Sequence, residues 1–250
     1  MLILFSMIVM RMSGMIWLNP IFGSSVLPSR VKTALILVFS LMLYMWSGGQ
    51  MQHEPASLLE YGVMLLLELA MGAVMGFAMD LAVFTVRYAS AIMDFTMGLS
   101  MAQVYDPASK MQITVTSEMQ YALVILLFLA GNGHLRLVSM FFGSASAVPF
   151  GQVSLSPALC VAMLDIFRDA IVMGMQLAFP LIAMELVAEA AVGIMMRMIP
   201  QINVFAVNFQ IKIIVGMLML LFLFSPMAEK MEEIIEGLFI NLNHLIALMQ

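Results

Sequence analysis

The 250-residue chain is poor in the residue types on which soluble folds and most enzymes depend. Charged residues make up 10% of it, whereas soluble domains carry about 25%. The net charge of -5 provides no basic surface for nucleic-acid phosphates. The single cysteine, Cys160, excludes a disulfide framework and a cysteine-rich metal site. With no base nearby in the sequence, Cys160 is predicted to be a small core residue.

Motifs for catalysis or cofactor binding are also missing. The three histidines, His53, His134 and His244, are far apart and show no metal-ligand spacing. The sequence contains no P-loop, no dinucleotide-binding fingerprint and no G-x-S-x-G elbow. We therefore expect a chain that is not an enzyme and that needs neither a cofactor nor a metal.

Apolar residues dominate instead. They make up 63% of the chain, and the mean hydropathy is +1.06. A spanning helix needs about 20 mostly apolar residues, so the length allows roughly six spans. Residues 1–10 show neither a basic n-region nor a cleavage motif of a signal peptide. We expect them to form part of the first helix.

Thirty methionines are spread along nearly every predicted helix, from Met7 to Met249. This spread favours a role as flexible core filler. A local methionine seal at a pore is the alternative for Met97, Met101 and Met111.

Proline, glycine and polar clusters divide the chain into helices. The long helix that starts near residue 157 contains Pro180, which predicts a kink. An acidic amphipathic tail starts near residue 225. The predicted helices before it cover about 2–17, 31–46, 58–101, 118–130, 137–148, 157–198 and 204–224.

Two stripes of charged residues and glycines interrupt these apolar helices. Within each stripe the spacing of the residues places them on one face of the helix. A charge at bilayer depth costs about 2.5–3.5 kcal/mol, so such residues normally face protein or a watery cavity. Three interpretations remain open: ion pairing within the chain, a surface for partner subunits or an aqueous lumen, and a proton or ion relay. The stripes are Glu68, Gly72, Gly76, Asp80, Arg87 and Asp94 on one helix, and Glu185, Glu189, Gly193 and Arg197 on another.

A set of motifs runs through nearly the whole chain in a fixed order. They are Pro20-Ile21-Phe22-Gly23, Glu68-Leu69-Ala70-Met71-Gly72, Gly98-Leu99-Ser100-Met101-Ala102, Asp106-Pro107-Ala108-Ser109, Gly131-Asn132-Gly133-His134 and Arg197-Met198-Ile199-Pro200-Gln201-Ile202-Asn203. In this order they resemble the FliR family of flagellar type III export-gate proteins. The Asn-Gly-His run favours the flagellar proteins over the related SctT family of injectisomes.

This resemblance implies an all-α fold of hydrophobic, kinked helical hairpins, in a single domain over residues 1–250. A FliP-like part would cover about 1–180 and a FliQ-like hairpin about 181–250. The implied function is that of a structural, channel-forming component that passes unfolded flagellar subunits across the bacterial inner membrane, in the flagellar basal body. The implied partners are FliP and FliQ subunits, FlhB, FlhA, the exported flagellar proteins and membrane lipid, with no nucleic acid.

The resemblance also implies a pore plug between residues 106 and 118. Small and polar residues after the Asp106-Pro107 turn would make this segment hydratable. An ordinary surface loop is the alternative. Lys110 departs from the family pattern, which has a small or neutral residue there. The predicted plug residues are Asp106, Pro107, Lys110, Met111, Gln112, Thr114 and Thr116.

The FliQ-like hairpin is predicted to turn at Pro200, with Gln201 and Asn203 capping or bridging the turn. Lys212 then lies about two turns into the next helix. We predict that Glu185 or Glu189 faces Lys212, or a partner, across the hairpin.

A second function class stays open beside the export gate. A polytopic secondary transporter would use the carboxylates Glu68, Asp80 and Asp94 together with Arg87. An inverted repeat would support a transporter, but the sequence shows none that is convincing. A catalytic set, which an intramembrane enzyme would require, is missing from the sequence.

Overall fold

The computed structural model describes residues 2–24, 27–48, 54–99, 115–198 and 204–250. Within these ranges the chain is helical and contains no strand, so the predicted all-α class is confirmed. The helices are α1 Leu2–Trp17, α2 Ser29–Trp46, α3 Leu58–Thr96, α4 Val115–Ala130, α5 Gly133–Ala147, α6 Pro157–Met198, α7 Val204–Phe222 and α8 Phe224–Leu248.

Local sequence signals account for several helix ends. Ser57 and Glu60 cap the start of α3: the Glu60 N–H donates to Ser57 Oγ at 3.1 Å, and the Ala56 N–H donates to Glu60 Oε2 at 2.7 Å. The break between α4 and α5 lies at Asn132, whose φ of 56° is one that asparagine tolerates. The predicted helices agree with the structure to within a few residues, and α6 continues through Pro180.

Three helices among the described residues are long and apolar enough to cross a membrane: Ser29–Trp46, Leu58–Thr96 and Pro157–Met195. Counting each bent helix pair as one span raises the number to five. The bent pairs are Thr116–Ala130 with Gly133–Ala147, at 69°, and Asn208–Phe222 with Phe224–Leu248, at 63°.

The chain divides into two compact units. Unit 1 comprises Met1–Val83, Phe128–Arg168 and Ile234–Gln250, and unit 2 comprises Phe84–Leu127 and Asp169–Glu233.

Helix α1 lies inside the core of unit 1. Its side chains at Met7, Ile8, Met12, Met15 and Ile16 are all fully buried. Methionines from α3 extend this core, which agrees with the predicted role of methionine as core filler. These α3 residues are Met71, Met75 and Met79.

The prediction that Cys160 is a core residue is wrong, because Cys160 is exposed. The buried face of this part of α6 carries Leu159, Ala162 and Ile166, which repeat every three to four residues. Cys160 follows Leu159 by one position, about 100° around the helix, and so lies off that face.

In unit 2, α3 and α4 are joined by a buried polar contact. Ser90 Oγ lies 2.7 Å from Gln120 Oε1, and the Gln120 amide lies 3.5 Å from the sulfur of Met93. The Arg87 guanidinium stacks on the Tyr121 ring at 4.3 Å. These contacts hold α3 and α4 together. The two helices precede and follow residues 100–114 in the sequence.

Candidate functional site

Unit 1 contains a buried ion pair that joins α1 to α3. Arg11 Nε donates to Glu68 Oε2 at 2.5 Å, and Arg11 Nη2 donates to Glu68 Oε1 at 3.0 Å. Both side chains are fully buried. We call this pair the closed cluster.

Each side-chain nitrogen of Arg11 and each carboxylate oxygen of Glu68 has a hydrogen-bond partner. Arg11 Nη1 donates to the carbonyl oxygens of Ser144 at 3.2 Å and Val148 at 2.9 Å, at the end of α5. The Gly151 N–H donates to Glu68 Oε1 at 2.8 Å. The guanidinium also lies 4.3 Å from the centre of the Phe150 ring.

This arrangement explains how a charge pair is tolerated in an apolar core. A buried ion pair is stable only when hydrogen bonds satisfy its remaining donors and acceptors. Arg11 meets this condition by capping the last carbonyls of α5, where the helix dipole favours a cation. The closed cluster therefore holds α1, α3 and the end of α5 together, and it leaves no exposed group for a ligand.

Two glycines of the first stripe allow α1 to approach α3 closely. A Cβ atom added at Gly76 would lie 2.9 Å from the carbonyl oxygen of Gly14, and one added at Gly14 would lie 2.6 Å from Leu69 O. A Cβ at Gly72 would clash with the carbonyl oxygen of Arg11. The predicted close helix approach at Gly72-x-x-x-Gly76 is thus seen within the chain. This part of the stripe favours the interpretation of intramolecular packing and ion pairing.

Unit 2 contains a second acid–base group, which we call the open cluster: Glu185, Glu189 and Lys212. Lys212 Nζ on α7 lies 3.1 Å from Glu189 Oε1 on α6, and Glu189 is 51% exposed. This contact confirms the prediction that one of the two glutamates faces Lys212. Glu185 lies one turn before Glu189 and is only 3% exposed.

The carboxylate of Glu185 has no hydrogen-bond partner among the described residues. Gly216 lies beside it, since a Cβ added there would be 3.0 Å from Glu185 Oε1. Glu185 borders a cavity of about 370 Å³ in unit 2. The cavity is lined by Phe95, Thr96, Gly98, Ile182, Glu185, Leu186, Glu189, Asn208, Phe209 and Lys212.

The other residues of the two stripes are dispersed. Asp80 is half-buried in unit 1. In unit 2, Asp94 is fully buried, and Arg87 is exposed and stacked on Tyr121. Arg197 is exposed near the end of α6. The described residues contain no group of three or more His, Cys, Asp or Glu side chains that could hold a metal ion.

Only one predicted plug residue lies within the described residues. Thr116 is buried in the first turn of α4, so the prediction that it lies in a loop is wrong. Its helix begins at Val115, three residues before the predicted start. Asp106, Pro107, Lys110, Met111, Gln112 and Thr114 lie outside the described residues, as do Pro200, Gln201 and Asn203 of the predicted turn.

Sequence reasoning identified Glu68, Glu185, Glu189 and Lys212 but missed the partners of Glu68. Arg11 interrupts the first apolar helix, and that isolated charge was the available signal for a buried pair. The carbonyls at the end of α5 and the acceptor Asn208 in the cavity carried no such signal.

The chain is similar to one known protein family over most of its length. The family described as "Bacterial export proteins, family 1" matches residues 2–238. The chain belongs to this family.

The flagellar biosynthetic protein FliR of Escherichia coli is 28% identical over 232 residues, which are 92% of this chain and 87% of that protein. FliR of Bacillus subtilis is 24% identical over 249 residues, covering 98% and 95% of the two chains. The surface presentation of antigens protein SpaR of Salmonella typhimurium is 22% identical over 218 residues, covering 86% and 81%. The resemblance to the FliR family is confirmed, and the chain is a component of a bacterial protein-export apparatus.

Proposed function

We propose that this chain is a structural, channel-forming subunit of the flagellar type III export gate, through which unfolded flagellar proteins cross the inner membrane. The main support is the similarity to FliR proteins along most of their length, up to 95% of the Bacillus subtilis protein. A shared length of this extent favours the same role in the assembly, not merely a shared segment.

The distribution of apolar side chains supports a place in a membrane assembly. Along α2, one broad face is exposed and apolar, and only 17% of the helix is buried. Apolar faces of this kind need lipid or partner subunits to cover them. The face carries Leu37, Val38, Leu41, Met42, Met45 and Trp46.

In this proposal, the neighbours are FliP and FliQ subunits, with FlhB and FlhA nearby in the flagellar basal body. Residues 1–180 form the FliP-like part and 181–250 the FliQ-like hairpin. The closed cluster is the internal brace of the subunit. The open cluster lies beside a cavity, where side chains of a neighbour could enter.

Deleting the gene in its own bacterium tests the role in flagellar export. We expect loss of flagellar filaments and of flagellar proteins in the medium, both restored by the wild-type gene and by the Gly62→Ala variant, a change at an open position of α3. Normal export in the deletion strain would contradict the proposal.

The channel and plug are tested separately by deleting residues 111–114, just before α4. We expect the complex to assemble in normal amounts while the closed gate conducts ions, because the segment would no longer fill the pore. Conductance equal to that of the wild-type complex in lipid bilayers would contradict the plug.

The transporter alternative depends in part on Glu68 as an exchangeable carboxylate. Glu68 is fully buried and accepts hydrogen bonds from Arg11 and Gly151. A carboxylate bonded in this way has no free side for a proton or solute, so this observation favours the export gate.

A further inference from the structure

The cavity of unit 2 joins apolar walls to a buried acidic group. Phe95 and Leu186 line it and are 75% and 60% exposed, whereas Glu185 is 3% exposed. The apolar members therefore lie toward the outside and the carboxylate toward the inside. Its volume of about 370 Å³ is large enough for a long side chain.

Several polar groups that line the cavity lack a hydrogen-bond donor in the part of the chain that the structure describes. Lys212 is 3.1 Å from Glu189, and its charge also acts on Glu185, so one cation faces two carboxylates in the cavity. Both carboxylate oxygens of Glu185 and the side-chain oxygen of Asn208 are buried and have no partner among the described residues. All three atoms are acceptors, so the missing groups are donors. A buried carboxylate that lacks donors is costly, and a cation beside it would remove that cost.

We propose that this cavity receives a Lys or Arg side chain from a neighbouring subunit of the export apparatus. Such a side chain places its apolar stem along apolar walls and its charged head at the acceptors. It carries only donors, which is what Glu185 and Asn208 lack. The inference rests on the proposed function, because the neighbour is present only in the assembly.

A bare metal ion fits this cavity less well. Hard cations take about six oxygen ligands. The cavity offers two carboxylates, Glu185 and Glu189, and Lys212 already pairs with Glu189. A lipid tail would fill the apolar part but would leave Glu185 without a donor.

A photo-cross-linking residue at position 186 identifies the molecule that lies at the opening of the cavity, in complexes assembled in the bacterial membrane. Position 187 serves as the control, because Val187 is equally exposed but does not line the cavity. We expect an adduct with a protein subunit at 186 that is weak or absent at 187. Adducts only with lipid, or the same protein adduct at both positions, would overturn the proposal.

The Glu185→Gln variant tests the charge. It keeps the shape of the side chain, and Glu232→Gln removes an exposed carboxylate as a matched control. With equal amounts of chain in the membrane, we expect Glu185→Gln to lower the co-purified neighbour at least about tenfold. Unchanged co-purification would overturn the proposal.

If Glu185→Gln lowers the amount of this chain in the membrane, a second experiment exchanges the charges of Glu185 and of the basic residue on the neighbour. Glu185→Lys should abolish co-purification, and replacing the cross-linked neighbour's basic residue with Glu should restore it. Failure of the exchange to restore binding would overturn the cavity contact. If the wild-type chain captures no subunit of an export apparatus at all, the proposed function fails instead, so the two failures are distinguishable.

Discussion

Two helices of this chain carry polar residues four positions apart, but the clusters that result are built differently. In the closed cluster, Arg11 and Glu68 satisfy each other and nearby backbone groups, with no exposure to solvent. In the open cluster, Lys212 pairs with the half-exposed Glu189, while the buried Glu185 has no donor among the described residues.

The difference shows that spacing along a helix does not decide what a polar stripe does. Glu68, Gly72 and Gly76 of the first stripe contact another helix of the same unit, whose Arg11 and Gly14 complete the contact. Glu185 and Glu189 of the second stripe border a cavity, and Glu185 has no donor among the described residues. The complete hydrogen-bond set of Arg11 and Glu68 fits an internal brace. The incomplete set at Glu185 is the one that the proposed neighbour would complete.

Breaking one half of the closed cluster should have the largest effect. Arg11→Met leaves Glu68 buried without its cation, which costs about 3–5 kcal/mol. We expect a large drop in thermal unfolding temperature in detergent and in the amount of chain in the membrane.

The double variant Arg11→Met, Glu68→Met is the control for that change. Removing both charges avoids an isolated buried carboxylate, so the double variant should be more stable than Arg11→Met alone. If it is less stable, Glu68 stabilises the chain without Arg11, for example through the Gly151 N–H, and the interpretation of the pair as the brace is contradicted.

The close approach of α1 and α3 should give the next largest effect. Gly72→Ala puts a Cβ against the carbonyl oxygen of Arg11 and should destabilise the chain by about 1–3 kcal/mol. Gly62→Ala, on the same helix but with no atom within 4 Å of the new Cβ, should be neutral or slightly stabilising. Equal unfolding temperatures for the two variants would contradict the tight contact.

Removing the cation of the open cluster should cost less. Lys212→Met breaks an ion pair whose acidic partner is 51% exposed, so the loss should be about 1 kcal/mol or less. The thermal unfolding temperatures of the two single variants, Lys212→Met and Arg11→Met, measure this difference in stability. A loss as large as that of Arg11→Met would remove the distinction between the clusters.

The smallest expected difference between the two clusters is in how their contributions to stability depend on salt concentration. The effect of Glu189→Gln on unfolding temperature should shrink between low and high ionic strength, because solvent screens an exposed pair. The effect of Glu68→Gln should stay constant, because both side chains of the closed cluster are fully buried. A salt dependence of equal size at both sites would refute the difference in solvent access.

The helices were predictable because they depend on local signals. The ends of α1, the start of α3 and the start of α6 follow from runs of apolar residues and their Pro or polar neighbours. The end of α3 also has a local signal. Gly98 has a φ of 77°, and the N–H of Leu99 donates to the Asp94 carbonyl oxygen at 3.0 Å, which ends the helix. The predicted end near residue 101 overlooked this glycine. Cys160 was misplaced because one position on a helix decides between a buried and an exposed face.

The order of the motifs was enough to predict the family and, through the resemblance, the all-α class, and the helical period was enough to predict the helix faces that carry charge. Neither could predict which charged side chains pair with each other. Arg11 finds Glu68 57 positions away and caps the end of α5. Glu185 meets a cavity instead of a donor. Pairing depends on how helices distant in sequence pack together, and the period of a single helix carries no information about its neighbour.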